Sequence, residues 1–112
     1  MMKISYKEKV IADHVLLADN FWERLVGYMF RSKPHYSGIM FKPAISIHTF
    51  FMGFSLDVIF MDREFKILRI YRNLRPWRHT WFYFKSRYTL EIPAGMLPLN
   101  LKEGDFLEVH NV

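Results

Sequence analysis

Short apolar segments at strand spacing dominate this chain from residue 38 onward. Their polar residues fall singly between apolar ones, and turn-forming tripeptides such as Asp62-Arg63-Glu64 separate one segment from the next. The strands that this pattern predicts lie at residues 3–17 (one or two strands), Gly38–Phe41, 46–51, Leu56–Met61, 65–71, 80–84, 88–92 and 106–110. Many short strands with frequent turns predict a mainly β fold, a small β-sandwich or partly closed barrel that residues 1–112 form as a single domain.

A helical signal precedes these strands at residues 20–30. Asn20 can cap the start of a helix, and Glu23 follows three residues later, as in a capping box. Apolar residues then recur at helical spacing, at Phe21, Trp22, Leu25, Val26 and Met29. The pattern predicts one short N-terminal helix that packs its apolar side on the strands and ends near Phe30.

The composition is that of a folded domain with a single core. Hydrophobic residues make up 51% and aromatic residues 18% of the 112 positions, enough apolar surface to offset the entropy lost on folding. The chain has no cysteine, which excludes disulfides, thiolate metal ligands and cysteine nucleophiles. Charged residues near the N-terminus leave no apolar signal-peptide core, so we expect a cytoplasmic location.

Residues 39–61 are apolar over a length that could cross a membrane, but Lys42, His48 and Asp57 interrupt them. Because ionisable side chains are costly at the centre of a bilayer, we predict buried strands here and no membrane span. The sequence contains no Gly-rich phosphate loop or other cofactor motif, so no cofactor is predicted. The net charge of +5 suits contact with acidic surfaces.

Several motifs follow one another in a characteristic order. They are Glu23-Arg24-Leu25-Val26-Gly27-Tyr28-Met29 with Arg31, Gly38-Ile39-Met40-Phe41, His48-Thr49-Phe50-Phe51-Met52, Leu56-Asp57-Val58-Ile59-Phe60-Met61-Asp62, Leu90-Glu91-Ile92-Pro93-Ala94-Gly95 and Gly104-Asp105. In this order the chain resembles the family called domain of unknown function 192 (DUF192), over roughly residues 23–108. The resemblance implies a mainly β, sandwich-like fold with a short helix, and it implies no established activity.

The chain departs from the family pattern at two places. Many members have a Lys-Asn-Thr tripeptide directly after the methionine that corresponds to Met52, where this chain has Gly53-Phe54-Ser55. Gly27-Tyr28-Met29 also replaces the usual Gly-Leu-Met. If the polar tripeptide contacts a ligand in relatives, the resemblance implies that this contact is altered here.

The stretch of residues 63–88 is basic and rich in aromatic residues. Its cations are Arg63, Lys66, Arg69, Arg72, Arg75, Arg78, Lys85 and Arg87, and its acid is Glu64. Guanidinium groups neutralise phosphates and exposed rings stack on bases, so this composition fits a single-stranded nucleic-acid binder. The alternative is that the rings belong to the core while the arginines cover a solvated face.

An irregular loop is predicted within this stretch, at residues 72–81. Its candidate ligand-binding residues are Arg72, Arg75, Trp77, Arg78, His79 and Trp81. Trp stacks on sugar rings or cations, and Arg binds carboxylates or phosphates through two hydrogen bonds. Our leading hypothesis is therefore a non-enzymatic module that binds an unknown small ligand or protein partner through this loop, with nucleic-acid binding as the alternative.

Three polar residues lie among apolar ones at His48, Asp57 and Glu91. Nitrogen and carboxylate ligands on neighbouring strands could bind a divalent metal or form an acid–base pair, which suggests a metal-assisted hydrolase as a weaker alternative. Their spacing matches no known metal motif. The structural alternative is that His48 and Asp57 hydrogen-bond to backbone groups in turns and Glu91 pairs with an arginine.

Overall fold

The computed structural model describes residues 1–111, with the backbone alone described at Phe21 and Leu25. The elements of this part of the chain are β1 (Met2–Tyr6), β2 (Lys9–Ala18), α1 (Phe21–Val26), β3 (Gly38–Phe41), β4 (Leu56–Met61), β5 (Ile67–Leu74), β6 (Tyr88–Pro93) and β7 (Glu108–Asn111). Within residues 1–111, the seven strands form one sheet in the order β5-β4-β6-β3-β2-β1-β7. The predicted mainly β fold with a short N-terminal helix is confirmed.

Strand pairing in this sheet is antiparallel except between β2 and β3. These two strands run parallel, with Val15 opposite Gly38, and α1 lies in the connection between them. A bridge between Lys66 and Phe106 joins the start of β5 to the segment before β7. The sheet is nevertheless not closed into a barrel.

Both faces of the sheet are covered, which explains why every residue of β4 is buried. Successive side chains of a strand point to opposite faces. Ile59 and Leu90 therefore pack in one core cluster, whereas Val58 and Phe60 pack in the other. Glu91 lies opposite Ile39 and Val58 in register, so its side chain belongs to the second face. The accompanying residues of that face include Phe41, Ile47, Met52 and Tyr28.

The predicted capping box starts the helix. Asn20 Oδ1 accepts a hydrogen bond from Glu23 N at 2.9 Å, and Asn20 Nδ2 donates to Glu23 Oε1 at 2.6 Å. The predicted end near Phe30 is wrong, because Gly27 turns out of the helix at φ 46 and its N–H bonds to Glu23 O. Trp22 and Val26 face solvent. The side chains of Phe21 and Leu25, part of the predicted apolar stripe, lie outside the described residues.

The strands predicted at residues 46–51 and 80–84 are absent from the described structure. These segments instead meet at a bridge between His48 and His79, flanked by hydrogen bonds from Thr49 N to Arg78 O and from Thr80 N to Ile47 O. Side-chain oxygens complete this contact, for example Thr80 Oγ1, which accepts from Ile47 N at 3.0 Å. Local side-chain bonding of this kind competes with a regular ladder, which explains the error.

Two other element boundaries differ from the prediction. β5 continues to Leu74, through residues predicted to be irregular, and β7 begins at Glu108 rather than at residue 106. Within the described residues, no helix is both long enough and apolar enough to span a membrane.

Candidate functional site

Glu91 is a buried acid in the middle of the sheet. It lies in β6, is 3% exposed and borders a cavity of about 70 Å³ between the sheet, the end of α1 and residues 46–52. Within the described part of the chain its carboxyl has no hydrogen-bond or ion-pair partner, so the predicted pairing with an arginine is not found, and its oxygens are open to the cavity instead of being sealed in the core. Burial raises the pKa of Glu91 to about 8. The carboxyl is therefore mostly protonated at neutral pH and can donate a hydrogen bond.

His48 borders the same cavity and lies in residues 46–52, which we call the irregular segment because they form no regular strand. Its Nδ1 accepts a hydrogen bond from Phe50 N at 3.2 Å, so in the neutral imidazole the proton is on Nε2. The ring also stacks on Phe50, with 5.0 Å between centroids. The predicted backbone hydrogen bond of His48 is thus present, and it leaves Nε2–H as a donor.

Three further polar side chains border the cavity, namely Ser46, Tyr28 and Arg24. The Tyr28 hydroxyl donates to Tyr36 O at 3.0 Å, and burial together with the nearby Glu91 carboxyl raises the pKa of Tyr28. Arg24 is exposed, and its Nη1 donates to Lys42 O at 3.3 Å. The cavity therefore has an uncharged, donor-bearing interior with a cation at its border.

Asp57 is not part of this cavity. It lies opposite Ile92 in register, one position out of phase with Glu91, so the two side chains point to opposite faces of the sheet. Its oxygens accept hydrogen bonds from Asn73 N at 2.8 Å and from Gly95 N at 3.0 Å. The structure therefore separates Asp57 from His48 and Glu91. Among the described residues, no group of three or more His, Asp or Glu is placed to hold a metal ion.

The predicted ligand-binding loop divides into structural and exposed residues. Arg72 is anchored, because its Nη2 donates to Pro98 O at 2.8 Å and to Leu101 O at 3.2 Å. Arg75, Arg78, His79 and both tryptophans are exposed. The loop does not bring the tryptophans into contact: Trp77 packs on Phe50 and Phe51, whereas Trp81 contacts Phe82.

Thr49 fixes the backbone of this loop. Its buried hydroxyl donates to Arg75 O at 2.6 Å and accepts from Arg78 N at 2.9 Å. Its main-chain oxygen also accepts from Trp77 N at 3.0 Å. The side chain at position 77 is therefore presented by a backbone that is held at three points.

Four rings from three chain segments form an exposed cluster, which we call the aromatic surface: Phe30, Phe50, Phe51 and Trp77. Ring centroids are 5.2 Å apart for Phe30 and Phe51 and 4.7 Å apart for Phe51 and Trp77. The exposed fractions of Phe30, Phe51 and Trp77 are 74%, 49% and 56%. Sequence analysis singled out Trp77 alone, because no local spacing relates residues of three separate segments.

Three members of the aromatic surface share an unusual backbone conformation. The φ angles of Phe30, Phe51 and Trp77 are 61°, 63° and 64°, a region that L-residues with side chains adopt at a cost. Phe30 N–H also donates to Phe51 O at 2.8 Å. The main chain as well as the rings therefore joins two of these segments.

Gly53, which begins the tripeptide that differs from the family pattern, lies against the same segment. Its N–H donates to Arg31 O at 2.9 Å, and a Cβ at this position would lie 2.6 Å from that oxygen. The main chain of residues 31–32 therefore occupies the space that a side chain would need. The close approach at Gly53 is what places Phe30 beside Phe51.

The fold and these two features define a small, mainly β domain with a buried acid and an exposed aromatic surface. The chain belongs to the DUF192 family, described as an uncharacterized ACR, which it matches over residues 2–109. It is similar to proteins named UPF0127 from two archaea. It is 39% identical to the Pyrococcus horikoshii protein over 73% of this chain and 74% of that one. It is 38% identical to the Pyrococcus furiosus protein over 91% of each chain.

Two solved structures share the fold. A protein of unknown function from Novosphingobium aromaticivorans superimposes with a TM-score of 0.76 at 23% identity, covering 96% of this chain and 82% of that one. A Sinorhizobium meliloti protein described as a candidate transcription regulator has the same TM-score at 21% identity, with 96% and 91% coverage. At these identities the likeness extends to the fold alone.

Proposed function

We propose that the protein is a non-enzymatic binding module whose ligand or partner docks on the aromatic surface and on the neighbouring Arg75 and Arg78. One observation supports this function above all others: Phe30, Phe51 and Trp77 are exposed and all have positive φ, and the Phe51 ring contacts the other two. Each such conformation costs a non-glycine residue about 1 kcal/mol or more. Glycine would remove this cost, so the presence of large exposed rings at these positions supports a role in contacts outside the folded chain.

The loop is suited to binding because its backbone is already ordered. Thr49 holds residues 75–78 through hydrogen bonds to Arg75, Trp77 and Arg78, so docking on Trp77 would cost little backbone entropy. Aromatic and arginine side chains are also the types that dominate binding energy at interfaces. A partner that fits carries an apolar or planar group beside an acidic one, since Arg75 and Arg78 flank Trp77 in the chain.

The test is a thermal-shift panel with a 15-nucleotide oligo-dT, ATP, a poly-glutamate peptide and an oligosaccharide as probes. A ligand at a hundredfold excess over its Kd stabilises the native state by about 2.7 kcal/mol, which moves the midpoint by several degrees. A probe that shifts the wild type should lose its effect in Arg75→Ala/Arg78→Ala and in Trp77→Ala.

The matched control for the arginine variant is Lys9→Ala/Lys33→Ala, which removes the same charge at two exposed positions outside residues 63–88. If both double variants weaken binding equally, binding depends on net charge and not on this loop. If the probe binds every variant as tightly as it binds the wild type, the aromatic surface is not the binding site.

A second candidate function is single-stranded nucleic-acid binding by the wider stretch of residues 63–88. It is favoured by a second group of exposed rings. In this group Phe82 and Phe84 are stacked, with ring centroids 6.2 Å apart and an angle of 15° between the ring planes. Parallel exposed rings beside Lys85 and Arg87 suit base stacking next to phosphates. The affinity for oligo-dT should then fall steeply with salt and fall further in Phe84→Ala, and a flat salt response would contradict this function.

A further inference from the structure

The Glu91 cavity is a second candidate site, separate from the aromatic surface. A buried polar group without a partner costs free energy, so nearly all such groups in folded proteins are hydrogen-bonded to protein or to something bound beside them. Within the described residues Glu91 has no such protein partner, and since no fully buried side-chain oxygen there lacks one, its carboxyl oxygens open onto the cavity of about 70 Å³. One water needs only about 10–15 Å³ on this measure, so the space accommodates a larger group.

Most of the polar groups that border the cavity are hydrogen-bond donors, and Ser46 adds a hydroxyl that can donate or accept. β6 contributes the carboxyl of Glu91 and α1 contributes the guanidinium of Arg24. The irregular segment contributes His48, whose Nε2–H is its donor. The connection after α1 contributes Tyr28, whose hydroxyl proton is already donated to Tyr36 O. Among the described lining residues Glu91 is the acid and Arg24 the fixed cation. This arrangement favours an occupant that accepts hydrogen bonds and bears negative charge.

We propose that the cavity binds the carboxylate of a small organic acid, with one oxygen accepting from Glu91 and the other lying toward His48 and Arg24. The lining side chains Met29, Phe41 and Met52 would surround the acid's short apolar portion. A carboxylate is favoured over phosphate because it has two oxygens and one charge, which match the few donors and the single border cation. A protonated acid that donates to an oxyanion is an established use of a buried carboxyl.

The protonation state of Glu91 sets the pH range of this site. Burial holds the pKa of Glu91 at about 8, so the donor form falls from about 90% at pH 7 to about 10% at pH 9. The bound carboxylate keeps its charge over that range. Arg24 also stays charged, and Asp57 faces the opposite side of the sheet. Affinity for a carboxylate should therefore fall about tenfold between pH 7 and pH 9.

The experiment is an NMR titration of the ¹⁵N-labelled protein with sodium acetate, with sodium chloride at equal ionic strength as the reference. Acetate at pH 7 should shift the amide signals of Gly27, Met29 and His48 with a saturable dependence, at a Kd of the order of millimolar for so small a ligand. The Kd at pH 9 should be about ten times higher. Trp77→Ala should bind acetate like the wild type, which separates this site from the proposed function.

Two variants test the role of Glu91 directly. Glu91→Gln keeps a donor of the same size, so it should bind acetate at pH 7 and lose the difference between pH 7 and pH 9. Glu91→Met has no donor and should lose binding. Three outcomes would each overturn the proposal. In the first, acetate shifts the signals of the wild-type protein at pH 7 no more than sodium chloride does. In the others, acetate binding does not change with pH, or methylammonium binds saturably and more tightly toward pH 9. The wild-type measurements decide the question even if Glu91→Met does not fold.

Discussion

The Asp57 carboxylate accepts a hydrogen bond from the main-chain N–H of Asn73 at 2.8 Å, across the last residues of the β4–β5 pair. Asn73 has a φ of 56°, and the register of the two strands shifts between the pairs Leu56/Leu74 and Val58/Tyr71. The second carboxylate oxygen accepts from Gly95 N, just after β6. The Asp57 side chain thus takes the place of main-chain hydrogen bonds where the β4–β5 pairing is irregular, and it connects β4 with β5 and with the turn after β6.

We predict that Asp57→Asn destabilises the protein by about 2 kcal/mol. An amide can present an acceptor to one of the two N–H groups only, which leaves the other, partly buried N–H facing an NH₂ group. Urea unfolding monitored by tryptophan fluorescence measures the change. Asp13→Asn, at an exposed position of β2, is the matched control and should change stability by less than about 0.5 kcal/mol. Equal stability of both variants would contradict this role for Asp57.

A second prediction concerns the dependence of stability on pH. Glu91 has a folded-state pKa of about 8 against a reference of 4.5, so between these values the folded state binds more protons than the unfolded state. The free energy of unfolding should therefore fall by about 1.4 kcal/mol per pH unit from pH 5 to pH 8 through this group. Glu91→Gln should remove that slope and be more stable than the wild type at pH 8. Parallel pH profiles for the two proteins would show that Glu91 ionises normally.

Thr49 should control the order of the exposed loop. Thr49→Val keeps the shape of the side chain but removes the hydroxyl that bonds to Arg75 O and Arg78 N. We expect a loss of about 1–3 kcal/mol and faster amide hydrogen exchange at residues 75–80, with exchange in β4 and β6 unchanged. Thr49→Ser retains the hydroxyl and should exchange like the wild type. Slow exchange at residues 75–80 in the valine variant would mean that the loop is held by other contacts.

The backbone strain at Phe30 can be measured by comparing two substitutions. Phe30→Ala and Phe30→Gly both remove the ring, but only glycine adopts a φ of 61° without steric cost. The glycine variant should therefore be more stable than the alanine variant by about 1 kcal/mol, the reverse of the usual order. Thermal or urea unfolding of the pair gives this difference. A more stable alanine variant would show that the conformation costs little.

The central strands and the helix start were predictable because local patterns determine them. Gly38–Phe41 is a continuous apolar run, Leu56–Met61 is apolar apart from Asp57, and Asn20 with Glu23 is a local capping pattern. Residues 46–51 have a similar apolar content, yet their hydrogen bonds go to residues 75–80 through Thr49 and Thr80. A strand-like pattern does not determine which partner a segment will find.

The candidate site was predictable residue by residue but not as an arrangement. His48, Asp57 and Glu91 stand out in the sequence as polar residues within apolar runs, and all three lie within or beside the core. Whether they face one another depends on the register of β4 against β6, which places Asp57 and Glu91 on opposite faces. The aromatic surface was harder still to predict, because Phe30 and Phe51 meet through a main-chain hydrogen bond and the close approach at Gly53, neither of which has a local sequence signal.

The position of β1 between β2 and β7 has a consequence for how the chain folds. Met2 is paired with Val15 on one side and with Asn111 on the other, and Tyr6 hydrogen-bonds to Asp105 across 99 positions. Contacts of such sequence separation slow folding, into the range of milliseconds to seconds for β-rich domains of this size. During synthesis, the outer edge of β1 therefore stays unpaired until residues 108–111 have left the ribosome, and until then it is open to pairing with strands of other molecules.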